Sequence, residues 1–99
     1  MNVHTKAIHF SADQKLIALI QKKLQKLEQF FDRILAAEVV MKLENSGKIK
    51  DKVLEVRIKV PGNLIITKAT YKTFEAAIDH SLDSLKKQLI KHKERIRRK

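Results

Sequence analysis

The sequence predicts an α+β fold: a two-layer sandwich in the order β-α-β-β-β-α, with a four-stranded sheet and two helices packed side by side on one face. Three observations carry this. Two segments repeat their apolar residues every three to four positions, the period of a helix with one buried stripe. Four short segments are β-compatible, and one of them, Val53–Val60, alternates without a break. Both helical stripes need cover, and the strands share one consistently apolar face, so the simplest packing lays both helices on it.

The first strand is Val3–Ile8, with Val3, Thr5 and Ala7 alternating against His4, Lys6 and Ile8. Phe10 and Ser11-Ala12-Asp13-Gln14 follow. Ser11 with Gln14 three residues later fits a capping box, and Asp13 is the competing N-cap. The first helix runs to about Phe31 on a stripe of Leu16, Ile20, Leu24, Leu27 and Phe31, with Ile17 beside it. Lys15, Lys22 and Lys26 project away from that stripe. Lys23 lies on its flank, where a long stem covers apolar surface while the ammonium stays wet. The charge-poor run Ile34–Ala37 leads to a second strand, Glu38–Glu44, with Val39, Met41 and Leu43 on one face. Asn45-Ser46-Gly47-Lys48 reads as a turn.

The third strand, Val53–Val60, puts Leu54, Val56, Ile58 and Val60 on one face and Val53, Glu55, Arg57 and Lys59 on the other. Pro61-Gly62-Asn63 makes a tight turn into a fourth strand, Leu64–Tyr71. The facing of that strand is ambiguous, because Leu64, Ile65 and Ile66 are consecutive. A strand, a helix and a strand suggest a right-handed crossover, and the last two strands add as a meander.

From Thr73, a reasonable N-cap, to the C-terminus the chain reads as one long helix striped by Phe74, Ile78, Leu82, Leu85, Leu89 and Ile96. Its charges are sorted. Glu75, Asp79 and Asp83 sit in the first half, and Lys86, Lys87, Lys91, Lys93, Arg95, Arg97, Arg98 and Lys99 fill the second, with Glu94 among them. That order suits the helix dipole, but eight bases exceed what dipole matching needs. At about 100° per residue, Lys87, Lys91 and Arg98 lie opposite the apolar stripe, and Lys86 and Arg97 lie to one side of it. Such a face suits a partner with regularly spaced negative charge.

Size, with two Gly, one Pro and no low-complexity run, predicts one domain over residues 1–99. The formal net charge of +11 predicts attraction to polyanions, nucleic acid first and anionic membrane second. The absence of cysteine excludes disulfides and thiolate metal sites. The N-terminus has no apolar run of the secretory kind, and no segment approaches the ~20 apolar residues that cross a bilayer. The expected location is the cytoplasm.

Catalytic constellations are missing. His4 and His9 lack metal-ligand spacing, Asp79, His80 and Asp83 read as a solvated acidic turn, and His92 reads as a packed histidine at the end of the core. There is no phosphate-binding glycine loop and no nucleophile–base pair. The expectation is a protein that is not an enzyme, with no cofactor, metal or small-molecule substrate. The common RNA modules are missing too. Phe10, Phe30, Phe31 and Phe74 read as core, so base stacking is a weak prospect. Phosphate contact and shape recognition of a structured RNA remain. The α-β-β-β-α portion shares its element order with double-stranded-RNA-binding domains, an analogy of fold alone. The alternative is a basic regulatory domain docking an acidic protein.

Two stretches resemble a known family. Lys26-Leu-Glu-Gln-Phe-Phe-Asp-Arg-Ile34 closes the first helix, and Ala76-Ala-Ile-Asp79, Asp83 and Gln88-Leu-Ile-Lys-His-Lys93 follow at a matching separation. Together they resemble the ribosome hibernation promoting factors, also called the ribosome-associated inhibitor or sigma-54 modulation family, over the whole chain. The resemblance is to a short form, without the C-terminal dimerisation domain of long members or the extended tail of inhibitor-type members. It implies a β-α-β-β-β-α fold that binds the small (30S) ribosomal subunit through 16S rRNA, where messenger and transfer RNA would sit. Translation is then inhibited in stationary phase or starvation, and the free protein is expected to be a monomer. Family positions meeting rRNA correspond to Lys23 and Lys26 on the first helix and Lys87, Lys91 and Lys93 on the second. The helical-wheel argument adds Lys22, Lys86, Arg97 and Arg98.

Overall fold

The computed structural model describes residues 1–46 and 49–97. Its elements are β1 (Asn2–Ile8), α1 (Gln14–Gln25) with a 3-10 turn (Lys26–Gln29), β2 (Ala36–Ser46), β3 (Ile49–Val60), β4 (Asn63–Tyr71) and α2 (Phe74–Arg97). The strands lie in chain order in one sheet. β1 runs parallel to β2, with α1 as the crossover, and β2, β3 and β4 form an antiparallel meander. The α+β order is the expected one.

Register explains why one face is apolar. Ala37, Ile58 and Ile65 lie in one row, Val39, Val56 and Thr67 in the next, and Met41, Leu54 and Ala69 in a third. Ile20, Leu24 and Leu27 from the first helical segment and Phe74, Ala77, Ile78, Leu85 and Leu89 from α2 join these residues in one buried cluster. Both helices therefore cover the same side, as expected. The opposite face carries Glu38, Val40 and Lys42, then Val53, Glu55, Arg57 and Lys59, then Leu64, Ile66 and Lys68. Arg57 lies 3.9 Å from Glu38 and 3.0 Å from Glu55 there. The ambiguity of β4 resolves with Ile65 buried inward and Leu64 and Ile66 exposed.

Several boundaries differ from expectation, each for a local reason. α1 does not stay α-helical to Phe31. It tightens after Gln25, and the Phe30 and Phe31 N–H groups both donate to the Leu27 carbonyl, at 3.0 and 3.1 Å. Short 3-10 turns are common at helix ends. This one keeps Leu27 and Phe31 buried but leaves Phe30 38% exposed, so Phe30 is not core. Asp13, rather than Ser11, caps α1, its Oδ1 accepting from the Lys15 N–H at 3.0 Å. β2 and β3 run longer than expected, pairing out to Ser46 and Ile49. The polar composition there suggested a loop, yet the ladder needs only backbone donors and acceptors. Gly47 and Lys48, within the expected turn, lie outside the described residues.

α2 begins as expected, with the Thr73 Oγ1 accepting from the Ala76 N–H at 3.1 Å. Its buried side also includes Ser81, whose hydroxyl donates to the Ala77 carbonyl at 2.8 Å and so is satisfied within the helix. His92 is buried at the end of the core, edge-on to Phe31 with ring centroids 5.5 Å apart. Ile96 is not buried: it lies beside the Pro61–Asn63 turn, where the sheet runs out beneath the helix. In that turn Gly62 has φ 76°, and nothing lies within 4 Å of where its Cβ would be. Gly62→Ala should therefore cost only backbone strain, about 1–2 kcal/mol in urea denaturation, with an unchanged fold by circular dichroism.

Candidate nucleic-acid interface

Where the two helices meet among the described residues, the residue numbers rise together. Asp13, Lys15, Leu16 and Leu19 share a shallow hollow with Glu75. Midway, the Lys23 ammonium donates to the Asp79 carboxylate. Further on, the Lys86 Nζ sits 4.5 Å above the centroid of the Phe30 ring. Gln29 and Phe30 there share a groove of about 320 Å³ with Ile90, Lys93, Glu94 and Arg97. α1 and α2 thus run in the same direction. Their C-terminal ends, where helix dipoles are negative, come together, and the lysines and arginines concentrate at that end.

The expected site residues are not equivalent. Lys22 and Lys26 are exposed on the first helical segment, and Lys87, Lys91 and Lys93 are exposed on α2. Among the described residues, none of these five stands in an ion pair. Lys23 differs: it is half-buried and committed to Asp79 between the helices. Such a partly exposed pair contributes about 0.2–1 kcal/mol to stability, and its positive charge is largely answered. Lys23→Ala should therefore weaken attraction to a polyanion such as heparin less than Lys26→Ala, measured as the salt concentration at which each variant elutes from a heparin column. Lys86 and Arg97 lie toward α1, flanking the Phe30 groove. Arg98 lies outside the described residues.

The basic surface also extends to the far side of α2. Gln88, Lys91, His92 and Arg95 line a hollow with Asn63, Leu64 and Ile65. Arg95 was legible as a neighbour of Lys91, four positions on and so on the same helix face. Phe30, expected in the core, is exposed. Adjacent helical residues point about 100° apart, so Phe30 and Phe31 cannot both enter one stripe, and the Leu24–Leu27 spacing selects Phe31. The acidic turn has other occupations. Asp79 faces Lys23, and His80 lies flat on Tyr71 with ring centroids 4.4 Å apart. Among the described residues no group of three or more potential ligands is arranged to hold a metal ion. No helix is long and apolar enough to cross a membrane, again among the described residues.

Residues 3–97 match the family model described as Sigma 54 modulation protein / S30EA ribosomal protein. The chain belongs to this family. Among S30EA relatives, the ribosome hibernation promoting factor of Pseudomonas putida is 36% identical over 95 residues, covering 96% of this chain and 89% of that protein. The factor of the same name from Escherichia coli K12 is 37% identical over 84 residues, 85% of this chain and 84% of the relative. The N-terminal domain of Thermus thermophilus Protein Y superposes with a TM-score of 0.77 at 28% identity, covering 90% of this chain and 96% of that one. A ribosomal subunit interface protein from Coxiella burnetii shares the S30EA fold, with a TM-score of 0.83 at 22% identity, covering 95% and 99% of the two chains. The family resemblance read from the sequence is borne out.

Proposed function

We propose that this chain is a ribosome hibernation factor that binds the small ribosomal subunit through 16S rRNA, at the ground messenger and transfer RNA otherwise occupy. The observation that carries this reading is the grouping of Lys86, Lys93 and Arg97 around Phe30 at the shared end of two aligned helices, with Lys22, Lys26, Lys87 and Lys91 exposed along the same two helices. The names of the Pseudomonas and Escherichia relatives support it. No bond is made or broken. Lys22, Lys26, Lys86, Lys87, Lys91, Lys93, Arg97 and Arg98 displace counterions from rRNA phosphates, Lys23 contributes at the flank, and the folded body excludes tRNA. Residues 1–99 act as one ribosome-binding domain in the cytoplasm, monomeric when free, silencing translation during starvation or stationary phase.

The test is cosedimentation with purified small subunits across a salt series. If ~6–10 phosphates are engaged, affinity falls about 10³–10⁵-fold between about 50 and 200 mM salt. A parallel pull-down from lysate with and without RNase separates this reading from docking on an acidic protein. Capture that survives nuclease and ignores subunits would replace the ribosome with that partner.

A further inference from the structure

We propose that Phe30 is a stacking platform for an unpaired nucleobase, held in the groove between the end of the first helical segment and α2. This rests on the reading of the chain as a ribosomal RNA binder and adds to it a contact of a different kind. Of the four phenylalanines, Phe31 and Phe74 are buried and Phe10 is half-buried, stacked on Phe74 at 5.7 Å. Only Phe30 is turned outward, 38% exposed. Its position is built into the backbone: the 3-10 turn and the paired N–H donations to the Leu27 carbonyl fix where the ring emerges.

The surroundings indicate what the ring receives. Ile90, 41% exposed, supplies a second apolar wall. Lys86, Lys93 and Arg97 stand around the groove, and Gln29 and Glu94 place an amide and a carboxylate on its rim. An occupant must therefore offer a flat apolar face, polar edges and negative charge alongside. A nucleotide offers all three in one unit; a peptide of acidic residues alone offers only the charge. The groove, about 320 Å³, sits at the lower end of the ~300–1,000 Å³ typical of small-ligand clefts. The Lys86 ammonium, 4.5 Å from the ring centroid, already occupies this π-face and shows that the face takes a partner from outside the core. A base arriving there takes that place, and the ammonium, on its flexible stem, moves to the adjoining phosphate. Base–aromatic stacking tolerates any base, so the contact adds affinity without demanding a sequence.

The chain has no tryptophan, so Phe30→Trp introduces a single reporter at the site. With this variant shown to bind small subunits, a short single-stranded RNA should quench its emission. Inorganic polyphosphate, which carries the charge without the bases, should bind without quenching. Equal emission with both ligands bound would overturn the proposal. In the natural background, Phe30→Ala and Phe30→Leu should each weaken small-subunit binding about 5- to 150-fold, the range of one stacked base, while Phe30→Tyr retains it. Thermal melts of these variants, at a position already partly in solvent, separate lost contact from lost fold. Unaltered binding by a folded Phe30→Ala overturns the stacking contact and leaves the ribosomal reading standing. Weakened binding without any quench by RNA assigns the groove to a protein and also overturns it. If the unaltered chain fails to bind subunits, the ribosomal reading fails and the stacking contact falls with it.

Discussion

Reversing Lys22, Lys26, Lys87 and Lys91 together to glutamate is expected to abolish cosedimentation with small ribosomal subunits and to leave the fold intact. All four are exposed, and among the described residues none is in an ion pair, so no ion pair is broken. Lys22 with Lys26, and Lys87 with Lys91, are pairs four residues apart. Each pair exchanges one like-charge repulsion for another of similar size, a few tenths of a kcal/mol. Each reversal removes two charge units, so four take the formal net charge from +11 to +3. The companion change to glutamine removes the charges without reversing them and gives the quantitative check. If each lysine answers one phosphate, the slope of log affinity against log salt becomes shallower by about 3.6. Native circular dichroism with retained cosedimentation of the glutamate variant would refute the electrostatic mechanism.

The second large effect concerns stability. Leu85 is fully buried in the middle of α2, within the cluster that joins both helices to the sheet. Leu85→Ala should cost about 2–5 kcal/mol and lower the melting temperature by roughly 10–30 °C. Leu85→Met, which conserves volume, should cost less than about 1.5 kcal/mol. A domain of this size has little stability in reserve, so core variants that lose ribosome binding report unfolding rather than a lost contact. The exposed lysines, by contrast, test binding directly.

Much of the architecture was legible because it rests on periodicity. Leu54, Val56, Ile58 and Val60 could face only one way, and the stripes of the two helices needed that same face. The order of elements and the cap at Thr73 followed from local chemistry. What was not legible depends on long-range partners. The lengthening of β2 and β3 is set by strand pairing, which side-chain composition does not encode. Leu64, Ile65 and Ile66 could be sorted only once β3 lay beside them. Ile96 fits the helical stripe but outlives its cover, because the sheet ends at the Pro61–Asn63 turn. At the interface, sequence supplied the lysines but not the Lys23–Asp79 bridge, which joins residues 56 positions apart. Phe30 was misjudged although the 100° step between adjacent helical residues already kept it out of the stripe that Phe31 enters.

Co-directional helices on a one-sided sheet also make the molecule electrically lopsided. Acids and bases interleave on the uncovered strand face, where Arg57 sits between Glu38 and Glu55, whereas the far half of α2 is almost wholly cationic. A body with that asymmetry turns in the field of a polyanion before it touches it. Encounters then begin with the useful end leading, and the association rate rather than the residence time should carry most of the ionic-strength dependence.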